Sequence, residues 1–217
     1  MGVRLLLADD HEIVRKGLRA VLETEPGWEV VAEAADGKDA IEKTKQMKPD
    51  IAILDISMPA LNGLEAARQI GTCASQTKVL ILTVHDLDPL VQQVLEAGAR
   101  GYLLKSDAAR DLVTAVDALR RNKTFFTPKV AQMVLEGYLD KNPKETAPEG
   151  GYFRLTCRQR EIVQLLAEGK SSKEVACALG LSVKTAETHR ANIMRRLDCH
   201  SVTALVRYAI RNHIIEA

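Results

Sequence analysis

Five polar residues close or follow short apolar runs in the first half of the chain. Asp9 and Asp10 follow residues 3–8, Asp55 follows 51–54, Thr83 ends 79–83, and Lys105 follows 101–104. If those runs are neighbouring strands, the five side chains gather at one rim. Three carboxylates held together repel, so such a site needs either a cation or a proton. Oxygen-only ligands that leave room for water and phosphate oxygens suit Mg²⁺. The Thr83 hydroxyl and the Lys105 ammonium then offer a donor and a positive charge to a phosphoryl group. Asp55 is left as the nucleophile, which would form an acyl phosphate. Each residue alone has an ordinary explanation: Asp10 as a helix cap, Thr83 as a strand residue, Lys105 as a solvated loop lysine. Five at five such positions are a constellation.

A second set lies near the end of the chain. At 100° per residue, Lys184, Glu187, Thr188, Ala191 and Arg195 fall on one side of a helix over residues 183–197. Ala186, Ile193 and Leu197 fall on the other, flanked by His189 and Arg190. A polar, net basic face with small residues fits the major groove of double-stranded DNA, its first turn nearest the base edges. Glu187 there can accept a hydrogen bond from a cytosine amino group, while nearby phosphates repel it. His189, at the edge of the apolar stripe, reads as a packed, hydrogen-bonded histidine.

These residues need particular elements to position them. Strands over residues 3–8, 29–33, 51–54, 79–83 and 101–104 alternate with helices over 12–22, 38–47, 64–70, 89–97 and 108–120. That order predicts an α/β domain, a five-stranded parallel, doubly wound sheet of flavodoxin-like type covered on both faces. Such sheets bind ligands beyond the carboxyl ends of their strands, where the strand order reverses. Thr127-Pro128 opens a helix to about residue 139, and residues 140–153, with two Pro, two Gly and no apolar period, read as a linker. Beyond it, Thr156 with Gln159 and Ser171 with Glu174 form capping boxes. Gly180-Leu181 turns the chain, and Ser182 caps the helix that carries the basic face. This is a small all-α helix-turn-helix domain. A last helix over residues 202–211 places Val202, Leu205, Val206, Ala209 and Ile210 in a stripe wide enough for a core and a partner. The expected domains are 1–122, 123–153 (connecting helix and linker) and 154–217.

Composition bounds the alternatives. The chain has 217 residues, 46% hydrophobic and 27% charged, with net charge +1. From residue 151 onward, 11 Lys/Arg face 6 Asp/Glu, so the back third is basic and the front mildly acidic. The longest apolar runs are too short to span a bilayer, and residues 1–8 lack the pattern of a signal peptide. No membrane partner is expected, and the expected location is the cytoplasm. Cys73, Cys157, Cys177 and Cys199 follow no disulfide or zinc spacing and read as reduced structural thiols.

The motifs Leu7-Ala8-Asp9-Asp10-His11, Leu54-Asp55-Ile56-Ser57-Met58-Pro59 with Asn62-Gly63, Leu82-Thr83 and Gly101-Tyr102-Leu103-Leu104-Lys105 resemble the receiver domain of two-component response regulators. Residues 155–214 resemble the LuxR-class DNA-binding domain of NarL- and FixJ-type regulators. The matching residues there include Leu155-Thr156, Arg158, Glu161, Glu168-Gly169-Lys170-Ser171, Lys173-Glu174-Val175-Ala176, Ser182-Val183-Lys184-Thr185, His189, Ile193 and Leu197. The resemblance implies that Asp55 accepts phosphate from a phosphohistidine on a sensor histidine kinase. It implies that Mg²⁺ is held by Asp10, Asp55 and the backbone carbonyl of Ser57, with Asp9 acting mostly through water. It further implies that Thr83 follows the phosphate inward and Tyr102 rotates into the vacated space, biasing a bistable surface. In the second domain Lys184, Glu187 and Thr188 would face bases. Lys173, Thr185, Arg190 and Arg195 would meet phosphates, and the last helix would pair two copies as a homodimer when phosphorylated. Val84, Ser57 and His85 occupy positions that in the family govern donor access and phosphate lifetime. Cys157, Ser172 and Ala186 depart from the family's common proline, asparagine and valine.

The implied function is a phosphorylation-controlled transcriptional regulator and not an enzyme. A dehalogenase-like phosphotransferase would carry a second aspartate two residues after the nucleophile, and Ser57 there lacks a titrating group suited to acid-base work. A constitutive DNA binder and a protein-binding adaptor are the remaining alternatives. The intact aspartate, threonine and lysine set argues against the first, and the basic reading face against the second.

Overall fold

Hydrophobic runs bounded by polar residues form the centre of the first of two units, Met1–Lys141 and Asn142–Ala217. The computed structural model describes residues 2–84, 91–126, 132 and 155–215. The helix expected over 127–139 (Gln132 apart), the linker at 140–153, His85 and the start of the helix expected from 89 lie outside the described residues.

The strands are β1 (Val3–Ala8), β2 (Trp28–Ala34), β3 (Ile51–Asp55), β4 (Lys78–Thr83) and β5 (Gly101–Leu104), all parallel, in the order β2-β1-β3-β4-β5. Between and after them run α1 (Glu12–Leu22), α2 (Gly37–Met47), α3 (Gly63–Cys73), α4 (Val91–Glu96) and α5 (Ala108–Arg120). Period-two alternation splits the core. Ile51 and Ile53 pack with Leu18 and Leu22 of α1 and Leu112 and Leu119 of α5. Ala52 and Leu54 pack on the opposite face with Ala40 and Ile41 of α2 and Ala66 and Ile70 of α3. Strands covered on both faces need apolar residues at nearly every position, which explains their unbroken runs.

Strand β2 departs from this alternation. Leu5 of β1 pairs with Val30 but Leu6 pairs with Ala32, so Val31 is an extra residue, a bulge. Val30 therefore packs on the α1 and α5 face while Ala34 packs on the other. The bulge also turns Glu33 toward α1, where Arg15 and Arg19 reach it.

The second unit contains α6 (Cys157–Ala167), α7 (Ser172–Leu179), α8 (Val183–Arg196) and α9 (Val202–Arg211) around Ile162, Leu166, Val175, Ala186, Ile193, Leu205 and Ala209. Both expected capping boxes form, each hydroxyl accepting from the backbone N–H three residues on, while the Gln159 or Glu174 side chain accepts from the cap's own N–H. Gly180 ends α7 at φ 62, a left-handed conformation that glycine adopts without a Cβ penalty. Leu181 N–H then donates back to the Ala176 carbonyl at 2.8 Å, closing the turn before Ser182 caps α8. Among the described residues, no helix is long and apolar enough to cross a membrane.

Candidate functional site

The order of the sheet reverses around β1, which lies between β2 and β3. Asp9 and Asp10 leave β1 and Asp55 ends β3, so the three carboxylates stand at the crevice where such sheets bind ligands. Thr83, at the end of β4, lies one residue beyond the Leu82 that pairs with Asp55. Lys105 follows Leu104 of β5, the partner of Thr83. All five rim residues occupy the strand ends expected of them.

Asp9 and Asp55 are 2% and 3% exposed, and Thr83 is buried. The Lys105 ammonium lies 2.8 Å from Asp9 Oδ2 and 3.0 Å from Asp55 Oδ2, bridging the two buried acids. Apart from the Lys105 ammonium, no donor among the described residues meets Asp9 Oδ2. The contact is a charge-assisted pair, and a carboxylate oxygen has a second lone pair that can take another positive charge. Asp9 Oδ1 accepts from the His11 backbone N–H at 2.9 Å, and His11 Nδ1 lies 2.7 Å from Asp10 Oδ1. His11, not Asp10, is the N-cap position of α1, and its side chain makes no cap hydrogen bond.

Burial dominates the electrostatics. It pushes the Asp55 carboxyl up to about 6, against the pull of Lys105 and with help from Asp9 and Asp10. Burial also works against the charge on Lys105, but its ion pairs with Asp9 and Asp55 outweigh that and raise its pKa. One ammonium among three carboxylates leaves the cluster net negative. Ligand atoms of Asp9, Asp10 and His11 lie within 4.8 Å of one another. An acidic, oxygen-rich cluster whose one ammonium does not balance its three carboxylates fits a hard divalent cation.

The loop after Asp55 folds back closely. Gly63 N–H donates to the Ile56 carbonyl at 2.9 Å, and Asn62 caps α3 by accepting from the Glu65 N–H at 2.9 Å. A Cβ on Gly63 would stand 1.9 Å from the Asp55 carbonyl oxygen, so glycine is required for α3 to start against the end of β3. Ser57 lies half-buried in this loop. Tyr102 is buried on β5, and Val84 projects outward, 60% exposed.

On α8, Lys184, Thr185, Glu187, Thr188, Ala191 and Arg195 are exposed, whereas Ala186 and Ile193 are buried. His189 and Arg190 are half-buried at the boundary, and Lys173 is exposed on α7. Thr188 donates its hydroxyl hydrogen to the Lys184 carbonyl at 2.8 Å, leaving its oxygen outward as an acceptor. Thr185 shares a 2.8 Å hydrogen bond with Ser182, so it also completes the helix cap. On α9, Leu205 and Ala209 enter the core, Val206 and Ile210 are half-buried and Val202 is exposed. The apolar stripe thus divides into a core side and an open side.

Two expectations need correction or addition. Cys73, Cys157 and Cys177 are exposed, so only Cys199 is a packed structural thiol; short helices offer too few turns to place a cysteine from its period. Arg15 and Glu33 gather near the acids without having been singled out, and His11, quoted only as part of a motif, pairs with Asp10. Arg15 looks like a solvated residue of α1, and a strict alternation of β2 would place Glu33 on the other face.

The description "Response regulator receiver domain" matches residues 5–117, and "Bacterial regulatory proteins, luxR family" matches 154–209. The chain is 38% identical over 213 residues to the transcriptional regulatory protein LiaR of Bacillus subtilis (strain 168), covering 98% of this chain and 99% of LiaR. It is 36% identical over 216 residues to the oxygen regulatory protein NreC of Staphylococcus carnosus (strain TM300), covering 99% and 100%. The solved complex of the two-component response regulator RcsB with DNA matches at a TM-score of 0.59 and 27% identity, over 98% of this chain and 99% of that one.

Proposed function

We propose, from the premise that the chain belongs to the two-component response regulators with a LuxR-type DNA-binding domain, that Asp55 is the phosphoacceptor through which its binding to double-stranded DNA is controlled. The carrying observation is Lys105 bridging buried Asp9 and Asp55 at the crevice of the sheet. A carboxylate oxygen of Asp55 attacks the phosphorus of a phosphohistidine on a sensor histidine kinase. The P–N bond breaks, the electron pair stays with the imidazole, and an acyl phosphate forms on Asp55.

Asp9, Asp10, Asp55 and the Ser57 backbone carbonyl are the residues suited to hold Mg²⁺, which when bound would neutralise the phosphoryl oxygens. Lys105 exchanges part of its pairing with Asp55 for the phosphoryl oxygens, and the Thr83 hydroxyl donates to one of them. Tyr102 is already buried beside this strand end, so the rotation that the resemblance implies has no outward starting position here, and its part is to pack behind Thr83. The altered surface shifts an equilibrium between an occluded and a free DNA-binding unit.

In the free form, Lys184, Glu187 and Thr188 face base edges, while Lys173, Thr185, Arg190 and Arg195 meet phosphates. Two copies pair through the open side of α9 and read half-sites about one helical turn apart. The receiver domain is taken as residues 1–122, the connecting helix and linker as 123–153, and the DNA-binding domain as 154–217, all acting in the cytoplasm.

A phosphate-affinity gel of wild type and Asp55→Ala tests the first step, with acetyl phosphate and Mg²⁺ and then with a panel of purified sensor kinases. A Mg²⁺-dependent shifted band in wild type alone is expected. No shift with any donor, or an equal shift in Asp55→Ala, refutes Asp55 as the acceptor.

A further inference from the structure

The turn that carries Asp9, Asp10 and His11 is fastened by a residue outside the acidic set. Arg15 holds it twice. Its backbone N–H donates to the His11 carbonyl at 3.1 Å, the first turn of α1. Its side chain reaches back, and Nη1 donates to the Asp9 carbonyl at 2.6 Å. The same guanidinium is fixed from behind, with Nε donating to Glu33 Oε2 at 3.2 Å. Only 14% of the Arg15 side chain is exposed, so this is a largely buried, charge-assisted brace.

Glu33 is itself immobilised from both faces of the sheet. Arg19 donates to its Oε1 at 2.7 Å from α1, and Lys43 of α2 donates to its main-chain carbonyl at 2.5 Å. The bulge at Val31 is what sends the carboxylate to the α1 face at all. Bulges beside sites commonly re-aim a side chain in this way. The result is a relay from the edge strand to the strand end: the bulge aims Glu33, Glu33 aims Arg15, and Arg15 holds the Asp9 carbonyl.

We infer that Arg15 is a positioning residue for the acidic site, setting the Asp9-Asp10 peptide, and hence the direction of both carboxylates, through its bond to the Asp9 carbonyl. The inference rests on the reading of Asp9, Asp10 and Asp55 as the cation-binding phosphoacceptor site. Arg19 supplies the internal control. It shares Glu33 and also pairs with Glu23 at 2.8 Å, a geometry that directs its guanidinium to those two carboxylates and not to the Asp9 turn. A merely structural role for the cluster makes Arg15 and Arg19 equivalent; a positioning role separates them.

The experiment uses the full chain, ¹⁵N-labelled, with Mg²⁺ binding by calorimetry and the Asp10 amide followed by NMR without metal. Arg15→Met is expected to shift the Asp10 amide and weaken Mg²⁺ about ten-fold, the low end for losing a partner behind a metal ligand. Arg19→Met is expected to leave the Asp10 amide in place and Mg²⁺ affinity within about two-fold, as for a partly exposed ion pair. Arg15→Lys keeps the charge but cannot fork between the Asp9 carbonyl and Glu33. It is expected to bind Mg²⁺ weakly too, and it carries the decision if Arg15→Met fails to fold. Equal losses in Arg15→Met and Arg19→Met, or wild-type affinity in Arg15→Lys, overturn the inference. If wild type binds no Mg²⁺, the cation reading of the site fails instead. The Asp10 amide still decides whether Arg15 holds the turn: an unmoved amide in Arg15→Met overturns it.

Discussion

Replacing Asp55 with asparagine should stabilise the metal-free protein, and the size of the gain follows from the burial of the carboxylate. Its pKa stands at about 6 instead of 3.8, because burial disfavours the charged form more than Lys105 favours it. A tenfold change in an acid's proton affinity corresponds to about 1.4 kcal/mol, so ionised Asp55 costs folding about 3 kcal/mol. The sign is that of a raised acid. The penalty is absent below the unfolded value of 3.8, grows as pH rises, and is complete above about 6. Asparagine keeps the shape and removes the charge. At about 3 °C per kcal/mol for a domain of this size, Asp55→Asn should raise Tm by roughly 10 °C at pH 7.5 in a chelator.

The pH series distinguishes this account from a simple packing gain. By pH 4.5 wild-type Asp55 is mostly protonated in the fold, and the advantage of Asp55→Asn should shrink to about 1 kcal/mol. Differential scanning fluorimetry between pH 4.5 and 7.5 measures it directly. Adding Mg²⁺ should narrow the gap from the other side, by stabilising wild type more than the variant. A variant no more stable than wild type at pH 7.5 would refute the charge argument. So would a gain of the same size at both ends of the series.

Three further outcomes are expected. Gly63→Ala should lose both stability and phosphorylation, because its Cβ would stand 1.9 Å from the Asp55 carbonyl oxygen and must push β3 and α3 apart; wild-type melting with full labelling in the affinity gel would contradict this. Arg195→Ala should weaken all DNA sequences alike and lower the salt slope by about one, read by titrations at several salt concentrations; a loss confined to one sequence would assign Arg195 to base contact. Glu187→Ala should broaden the sequences recovered in a binding-site selection, since the carboxylate repels phosphate and rewards only a matching base; an unchanged motif would remove Glu187 from the reading set.

The rim of the sheet was legible because each apolar run ends where a buried strand must end, and the next residue is a polar one with chemistry. The basic face of α8 was legible for the same kind of reason: a helical period of polar residues opposite Ala186 and Ile193, preceded by a capped helix and a glycine turn. Element ends shifted only slightly, as with β2 at Trp28–Ala34 and α3 at Gly63–Cys73. The brace behind Asp9 was not legible. It depends on one extra residue in β2, and a single inserted position reverses which face Glu33 takes without leaving a compositional mark. The approach of Gly63 to the Asp55 carbonyl is equally silent, because Asn62-Gly63 reads as a cap and a helix start whatever lies behind it. The open side of α9 is intermediate: its apolar stripe was visible, but its division between core and surface needed the neighbouring helices.

The two units handle charge in opposite ways, and this constrains how one can control the other. Around Asp55 a few charges are concentrated and buried, where each added charge is worth several kcal/mol because water is excluded. On α8 the charges are exposed, and acting together on a polyanion, as proposed, each one would contribute modestly and depend on salt. A phosphoryl group on Asp55 adds negative charge, but at physiological salt such a charge is felt over only about 8 Å of solution. Direct repulsion of DNA could therefore carry a signal only across a gap of that order. On the proposed reading, an acyl phosphate on Asp55 would act within contact distance, on Lys105 and Thr83, and convert its charge into a change of packing at the ends of β4 and β5. What reached the DNA-binding unit would then be a choice between two arrangements of surface, and a ligand shifts such a choice only by its differential affinity for them. On that reading, burying Asp55 is what would make the differential large.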